Sequence, residues 1–528
     1  MALQQEFLNS DNFAPRHELR RCRLTSLNAR LNALPTEHLQ GIRRGIEKES
    51  LRVSPRGKLA MTQHPQALGS ALTHPHITTD FSEAQVELVT GAHASVKACL
   101  DELRQIHRYV YEFIGDELLW VSSMPCDLPP DADIPIGQYG TSNVGRAKSV
   151  YRTGLAHRYG KRMQTISGIH YNWSMPGLSN DDYFGLIRNF RRQSFVLLML
   201  FGASPAVASG FVADQSHGLQ TLDEQTCYLP YATSLRMGRL GYQSDAQSAL
   251  AVSYNGLKGY AASLQDALTR AYPAYEGIGI RDEQGDYRQL STSLLQIENE
   301  FYSTIRPKRV INTGERPLHA LRERGVEYVE VRCLDLNPFM PTGIDEGTAH
   351  FLDVFLLHCL LSDSPMDTPQ EIAALARNQL TVASQGRAPG VKLERQGQQV
   401  LLMEWAQEIV ASCMPIARKL DELHGGHAHI QACETALAAL NQPATLPSAK
   451  VVQALEHSAT RGHMAFTLER SRQTRAALMA EPLPESVHAS LSQQARESIK
   501  AQAHIEAADA TSFEAFRLDY MSPKHLIV

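Results

Sequence analysis

The chain lacks the short motifs that would commit it early to a chemistry. It has no GxxxxGK[ST] segment, which excludes a P-loop nucleotide site at the level of motif. There is no GxGxxG following a strand and no GxSxG elbow, so neither a dinucleotide-binding βαβ unit nor an α/β-hydrolase is indicated. Charge of one sign is also lacking. Fifty-one basic against 56 acidic residues leave a net charge of -5, which argues against a general affinity for nucleic acid. The eight cysteines (Cys22, Cys99, Cys126, Cys227, Cys333, Cys359, Cys413, Cys433) are scattered without a CxxC pair. A large chain needs no disulfide framework, so reduced thiols and a cytoplasmic setting are expected. The opening residues contain no apolar stretch of the kind a signal peptide needs, and they carry acids unusual in a transit peptide. One uncharged run, Phe195 to Ala213, approaches membrane-spanning length. Gly202, Ser204, Pro205 and Ser209 break it, so a buried helix leading into a loop is expected and no membrane span.

What is present is an ordinary globular composition, 43% hydrophobic and 20% charged, in 528 residues. After a helical lead-in over residues 1–40, short strand-like runs alternate with helices and Gly/Pro turns from about residue 41 to 340. Beyond about 365 the pattern is helical. Trp405, Ile409, Cys413, Ile416 and Leu420 share one helix face, and Val487, Leu491 and Ile499 share another. A single catalytic unit spanning 1–528 is expected, with a motif-bearing core over 41–390 and a C-terminal helical layer over 391–528.

The carboxylates carry the functional signal. In GIEKESLRV, residues 45–53, strand alternation puts Glu47, Glu49, Leu51 and Val53 on one side, and Ile46, Lys48, Ser50 and Arg52 on the other. Two carboxylates spaced this way repel unless a cation sits between them. In IHYNWSM, residues 169–175, Ile169, Tyr171, Trp173 and Met175 oppose His170, Asn172 and Ser174. In VEYVEVRCL, residues 326–334, Val329, Val331 and Cys333 oppose Tyr328, Glu330 and Arg332. In ITTDFSEAQVELVT, residues 77–90, Asp80 precedes a strand presenting Gln85, Glu87 and Val89. Each segment alone also fits a solvated sheet surface. Together they describe a sheet with an apolar side for helices to cover and a polar side that forms a cleft. Its candidate ligands are Glu47, Glu49, Asp80, Glu87, His170 and Glu330. Five oxygen donors and one imidazole suit Mg²⁺ or Mn²⁺ better than a structural zinc ion. Magnesium held this way completes its shell with water and phosphate, which directs attention to nucleotide chemistry.

The basic run Arg306-Pro307-Lys308-Arg309 is the candidate phosphate contact, because Pro307 stiffens it and it shortly precedes the Glu330 strand. His424, His427 and His429 in HGGHAH read as a solvent-exposed turn, since no Cys or acid partner lies close by in sequence.

From Gly41 to Gly390 the chain resembles the proteobacterial-type glutamate–cysteine ligases. Eight ordered blocks carry the likeness: GIEKESLRV, HPQALGSALTHPHITTDFSEAQVELVT, QYGTSNVGRAKSVYRTGL, MQTISGIHYNWS, FGASPA, YLPYATSLRMGRLGY, QIENEFYSTIRPKR and GVEYVEVRCLDLNPF. The C-terminal helices resemble the family less, and the first residues look like an addition. The resemblance implies an α+β fold akin to glutamine synthetase: a curved, mainly antiparallel sheet forming a funnel, covered by helices. It implies ATP- and Mg-dependent ligation of the L-glutamate γ-carboxylate to the L-cysteine amine through a γ-glutamyl phosphate, the first step of glutathione biosynthesis. By motif match, Glu47, Glu49, Asp80, Glu87, His170 and Glu330 would hold the metal ions. Arg236 and Arg332, with Glu330, would serve the reacting groups. Phe81, Tyr151, Leu155, Gln164, Tyr242 and Tyr302 would line the amino-acid pockets, and Arg152 and Lys308 would contact phosphate. The implied partners are the small-molecule substrates alone. Tyr151 and Tyr242 do not by themselves read out a thiol, so a carboxylate–amine ligase with another acceptor stays open, as does a non-catalytic metabolite sensor on the same scaffold.

Overall fold

Period-2 alternation becomes an antiparallel sheet in the computed structural model, which describes residues 26–214, 216–241, 246, 250–457 and 462–526. Tyr242 and Cys22 lie outside the described residues. The main sheet contains β1 (Arg43–Val53), β2 (Ile77–Thr79), β3 (Gln85–Val89), β4 (Leu118–Leu119) and β5 (Ile169–Ser174). A separate three-stranded sheet holds β6 (Ala206–Ala208), β7 (Gln220–Asp223) and β8 (Thr226–Tyr228). The main sheet resumes with β9 (Ile305–Lys308) and β10 (Tyr328–Leu334). Its spatial order is β2-β3-β1-β5-β10-β9, every neighbouring pair antiparallel, with β4 joined to the end of β1.

One side of this sheet is apolar. Ile169, Tyr171 and Trp173 on β5, and Val329, Val331 and Cys333 on β10, are buried as the alternation requires. Helices cover it: α1 (Val96–Phe113) lies over β1 and β3, while α2 (Asn180–Gln193) and α3 (Phe195–Phe201) lie over the β9–β10 edge. The uncharged run forms the expected buried α3 and ends it at Gly202, but continues into the strand β6 and a short helix, Ser209–Val212, where a loop was expected. Behind them runs α4 (Glu346–Leu361), capped by Asp345 and buried over twelve of its sixteen residues. An outer layer of α5 (Leu402–His424) and α6 (Ala428–Asn441) packs on α4. Among the described residues, no helix is long and apolar enough to cross a membrane.

Two expectations need correction. The covered side is not uniformly apolar at β1, where Lys48, Ser50 and Arg52 are buried. Lys48 Nζ meets Ser50 Oγ at 2.9 Å and His107 Nε2 at 2.7 Å, and Arg52 pairs with Glu117 at 2.8 Å, so these groups are satisfied internally. In α7 (Glu485–Ala508), Leu491, Ala495 and Ser498 form the buried face, whereas Ile499 is 38% exposed. The cause is close approach. A Cβ on Gly69 would stand 2.9 Å from the Ala495 Cα, so only small side chains fit where this helix meets the 69–73 loop. The α5 face predicted from Trp405 to Leu420 is buried throughout.

The sheet is tied to α4 by a buried ion pair. Arg44 Nη2 lies 2.9 Å from Asp353 Oδ2, and the Tyr171 hydroxyl donates to Asp353 Oδ1 at 2.8 Å. Removing the acid leaves a guanidinium buried without its counter-charge. Asp353→Ala is therefore expected to cost about 3–5 kcal/mol. Urea unfolding measures this, and a loss below about 1 kcal/mol would show the pair to be marginal.

Candidate functional site

The uncovered side of the sheet gathers the acids. β1 runs between β3 and β5, so Glu47 pairs with Val89 on one side and His170 on the other, while Glu49 stands directly opposite Glu87. On β10, Glu330 is registered with Asn172 of β5 and Arg306 of β9. The β10–β5 register then slips by one residue between Val331 and Leu334, a bulge beside the acids of the kind that re-aims side chains.

These side chains line one cavity of 550 Å³. All six acidic or imidazole candidates, Glu47, Glu49, Asp80, Glu87, His170 and Glu330, reach it. So do Phe81, Tyr151, Arg152, Leu155, Gln164, Tyr302, Lys308 and Arg332. Arg236 does not. It lines an adjoining cavity of 420 Å³ to which Arg332 and Tyr302 also contribute, and its Nη2 donates to the Arg332 carbonyl at 2.8 Å.

Donor atoms of Glu47, Glu87 and His170 lie within 4.8 Å of one another. Glu47 Oε2 lies 3.1 Å from His170 Nδ1, and Glu47 Oε1 accepts from Asn172 Nδ2 at 2.8 Å. His170 Nε2 lies 3.7 Å from Glu49 Oε1, whose other oxygen accepts from the Gly168 amide at 2.7 Å. Gly168 has no room for a side chain, since a Cβ there would stand 2.0 Å from the Arg236 guanidinium. Glu330 is gripped from both sides, by Lys308 Nζ at 3.2 Å and Arg332 Nη1 at 2.9 Å. Gln164 Nε2 donates to the Tyr302 hydroxyl at 2.9 Å, and Arg152 donates to the Asp80 carbonyl.

The four glutamates divide into two electrostatic classes. Burial raises the Glu330 carboxyl, but Lys308 and Arg332 overrun that effect and hold it well below the usual range. Glu47 is likewise lowered, because His170 and Lys308 outweigh its burial and its repulsion from Glu330. Burial, followed by repulsion from Asp80, pushes Glu49 up to about 8. Burial, then Glu47 and Asp80, raises Glu87 well above the ordinary value. Burial draws His170 below its usual value, leaving the imidazole neutral with a lone pair to offer. Glu49 and Glu87 at the β1–β3 end therefore favour their protonated forms unless a cation is bound, while the β9–β10 end carries its own cations.

Several lining residues were not singled out from the sequence. Lys148 sits over the Tyr139 ring at 5.1 Å, and burial draws its ammonium down to about 8. Ile505, Phe516 and Tyr520 reach the cavity from the C-terminal layer. The Lys148 position, within QYGTSNVGRAKSVYRTGL, was open to inspection as a cation one turn before Arg152. The three C-terminal residues carry no local signal.

The profile described as glutamate-cysteine ligase matches residues 29–382. A glutamate–cysteine ligase of Pseudomonas entomophila is 48% identical over 511 residues, covering 93% of this chain and 96% of the relative. Another, of Alcanivorax borkumensis, is 46% identical over 516 residues, covering 94% and 98%. Among solved structures, the glutamate–cysteine ligase of Francisella tularensis in complex with AMP superposes with a TM-score of 0.87 at 38% identity, covering 91% of this chain and 97% of that one. With a polar sheet face of this composition, a profile match over most of the chain and relatives alike over nearly their whole length, the chain belongs to the glutamate–cysteine ligase family and is an ATP-dependent enzyme of γ-glutamylcysteine synthesis.

Proposed function

We propose that the 550 Å³ cavity is where ligation occurs, and that its acids act by holding divalent magnesium, with manganese as a substitute. The carrying observation is the convergence of Glu47, Glu87 and His170 donor atoms within 4.8 Å, beside the raised carboxyl of Glu49. A donor set rich in carboxylate oxygen fits a hard cation, and buried carboxyls that repel one another are stabilised by one. Glu49, Asp80 and Glu330 complete the proposed set. Bound Mg²⁺ supplies charge neutralisation for phosphate oxygens.

The chain's own groups do the rest. A carboxylate does not acylate an amine at neutral pH, because oxide is a poor leaving group. Transfer of the ATP γ-phosphoryl to the glutamate γ-carboxylate forms a P–O bond and releases ADP. The neutral cysteine amine then attacks the acyl carbon, the C–O bond to phosphate breaks, and phosphate leaves carrying the proton that the nitrogen gives up. Two anions meet in the first step, so fixed cations are needed. Arg332 and Lys308, already held by Glu330, face the approach of the phosphoryl group, and Arg236 supports Arg332 from the adjoining cavity. Arg152 takes phosphate at the β2 end. Phe81, Tyr151, Leu155, Gln164, Tyr302 and Tyr242 form the amino-acid pockets, Gln164 and Tyr302 being fixed by their mutual hydrogen bond. The AMP in complex with the Francisella relative supports an adenine nucleotide as a ligand of this chain. Ile505, Phe516 and Tyr520 on the cavity wall support a single catalytic unit that includes the C-terminal layer. Seven buried free thiols, Cys99 through Cys433, support a cytoplasmic setting.

Glu330→Gln keeps the shape but releases Lys308 and Arg332 from their counter-charge. Turnover is expected to fall about 10²-fold or more with an unchanged circular dichroism spectrum. Near-normal turnover would remove Glu330 from the machinery.

Proton linkage gives a second test. At pH 6.5, below the raised value of Glu49, the metal-free site holds a proton that a cation must displace. As pH rises through about 8, Glu49 ionises unaided and that competition disappears. The rise in melting temperature on adding Mg²⁺ is thus expected to be larger at pH 8 than at pH 6.5. An increment that is flat or falling with pH would contradict cation binding by these carboxyls.

A further inference from the structure

The FGASPA block contributes no side chain to the ligase cavity or to its neighbour, yet it is tied to both through one buried acid. We propose that Asp335 is a positioning residue of the ligase. It gathers the FGASPA loop and the turn that carries Arg236, and so fixes the guanidinium behind Arg332, a role that rests on Arg236 and Arg332 serving the phosphoryl transfer.

Asp335 is the first residue after β10, and its side chain is fully enclosed. Three of the sequence blocks meet on it. Oδ2 accepts from the Ala203 amide at 2.9 Å and from Ser204 Oγ at 2.6 Å, both in FGASPA. Oδ1 accepts from Ser234 Oγ at 2.9 Å and stands 3.9 Å from Arg236 Nη1, both in TSLRMG. Ser234 Oγ in turn accepts from the Met237 amide at 3.2 Å, so the acid holds the turn on both sides of Arg236. The two loops lie backbone against backbone. The Leu235 amide donates to the Ser204 carbonyl at 2.7 Å, and a Cβ on Gly202 would stand 2.7 Å from the Thr233 carbonyl oxygen.

The arginine is thereby aimed. Its Nη2 donates to the Arg332 carbonyl at 2.8 Å, and its guanidinium occupies the space that a side chain on residue 168 would need. Arg332 is then anchored twice, by its backbone on Arg236 and by its guanidinium on Glu330. None of the four partners of Asp335 lines the 550 Å³ cavity, so the acid reaches the chemistry through Arg236. Burial raises the Asp335 carboxyl, and Arg236 with the three donors offsets only part of that rise. A scaffold gains little from such a group, since a well-packed apolar side chain is often as stable. A planar guanidinium that must keep one orientation gains a fixed partner.

The test is a double-mutant cycle on the full-length enzyme. Asp335→Asn is expected to lower kcat about tenfold or more, while KM for cysteine stays within about twofold. Arg236→Gln should lower kcat at least as far. The double variant should fall no more than about twofold below Arg236→Gln alone, because the acid acts only through the arginine. A merely structural role would multiply the two losses and move KM for cysteine as well. Ser234→Ala removes one hydrogen bond with little change of volume and keeps the test decisive should Asp335→Asn not fold. It should lower kcat about threefold or more in the native enzyme, and leave it unchanged in the Arg236→Gln background. Multiplied losses, or native kcat in folded Asp335→Asn or Ser234→Ala, overturn the positioning role. Native kcat in Arg236→Gln is the distinct outcome that removes the reading of Arg236 itself, and the role of Asp335 with it.

Discussion

Glu49 and Glu87 stand opposite each other on neighbouring strands, largely removed from water, with Glu47 and Asp80 beside them. Like charges placed directly across an antiparallel pair destabilise a sheet, and burial multiplies the cost because little water is left to screen them. Nothing in the packing of this sheet requires acids there; on the opposite side β3 buries Val86 and Leu88, and β1 buries Ile46 beside the internally satisfied Lys48, Ser50 and Arg52. The arrangement is stable when the charge is answered, and the two ends of the site answer it differently. At β9–β10 the answer is internal, with Lys308 and Arg332 clamping Glu330. At β1–β3 the carboxyls retain protons or take up an external cation. That asymmetry gives the cavity a polarity suited to holding a polyanionic cosubstrate between mobile and fixed positive charge.

The scaffold is consistent with that demand. A funnel wall that crowds carboxyls together needs rigid strands, and rigidity comes from the other side of the sheet, where α1, α2 and α3 pack on the strands and the nearly encircled α4 backs them. The Arg44–Asp353–Tyr171 cluster locks the sheet to α4 at the strands that bear Glu47 and His170. The outer helices thicken this support on one side. On the other, α7 and the residues after it reach round to the cavity mouth, where Ile505, Phe516 and Tyr520 line the wall.

Much of the site was legible because strands report their faces locally. Alternation alone put Glu47 with Glu49 and His170 with Asn172, and set Glu330 against Val329 and Val331, all as found. The resemblance supplied the aromatic members and Arg152 and Arg236, of which Arg236 stands behind Arg332 in the adjoining cavity, whereas Lys308 and Arg332 were legible in the basic run and in the β10 alternation. What alternation cannot report is register and distance. The Gly168 amide that holds Glu49 becomes a partner only once β1 and β5 are aligned. Lys48 on the covered side is tolerated because His107 arrives from α1. Ile499 looked apolar enough to be inside, but the tight approach of α7 to Gly69 selected Ala495 and Ser498 instead. His429 read as exposed but is buried, because its two partners, Asp421 and His350, are brought to it by a chain reversal and a separate helix.

The claim on which the account turns is that the β1–β3–β5 carboxyls are cation holders. A crystal grown with Mn²⁺ and a non-hydrolysable ATP analogue, measured for anomalous scattering, tests it most directly. The account predicts a strong peak within bonding distance of Glu47, Glu87 and His170, with the nucleotide's phosphates on its open side. A phosphate tail bound in the cavity with no anomalous density among these three side chains would contradict it.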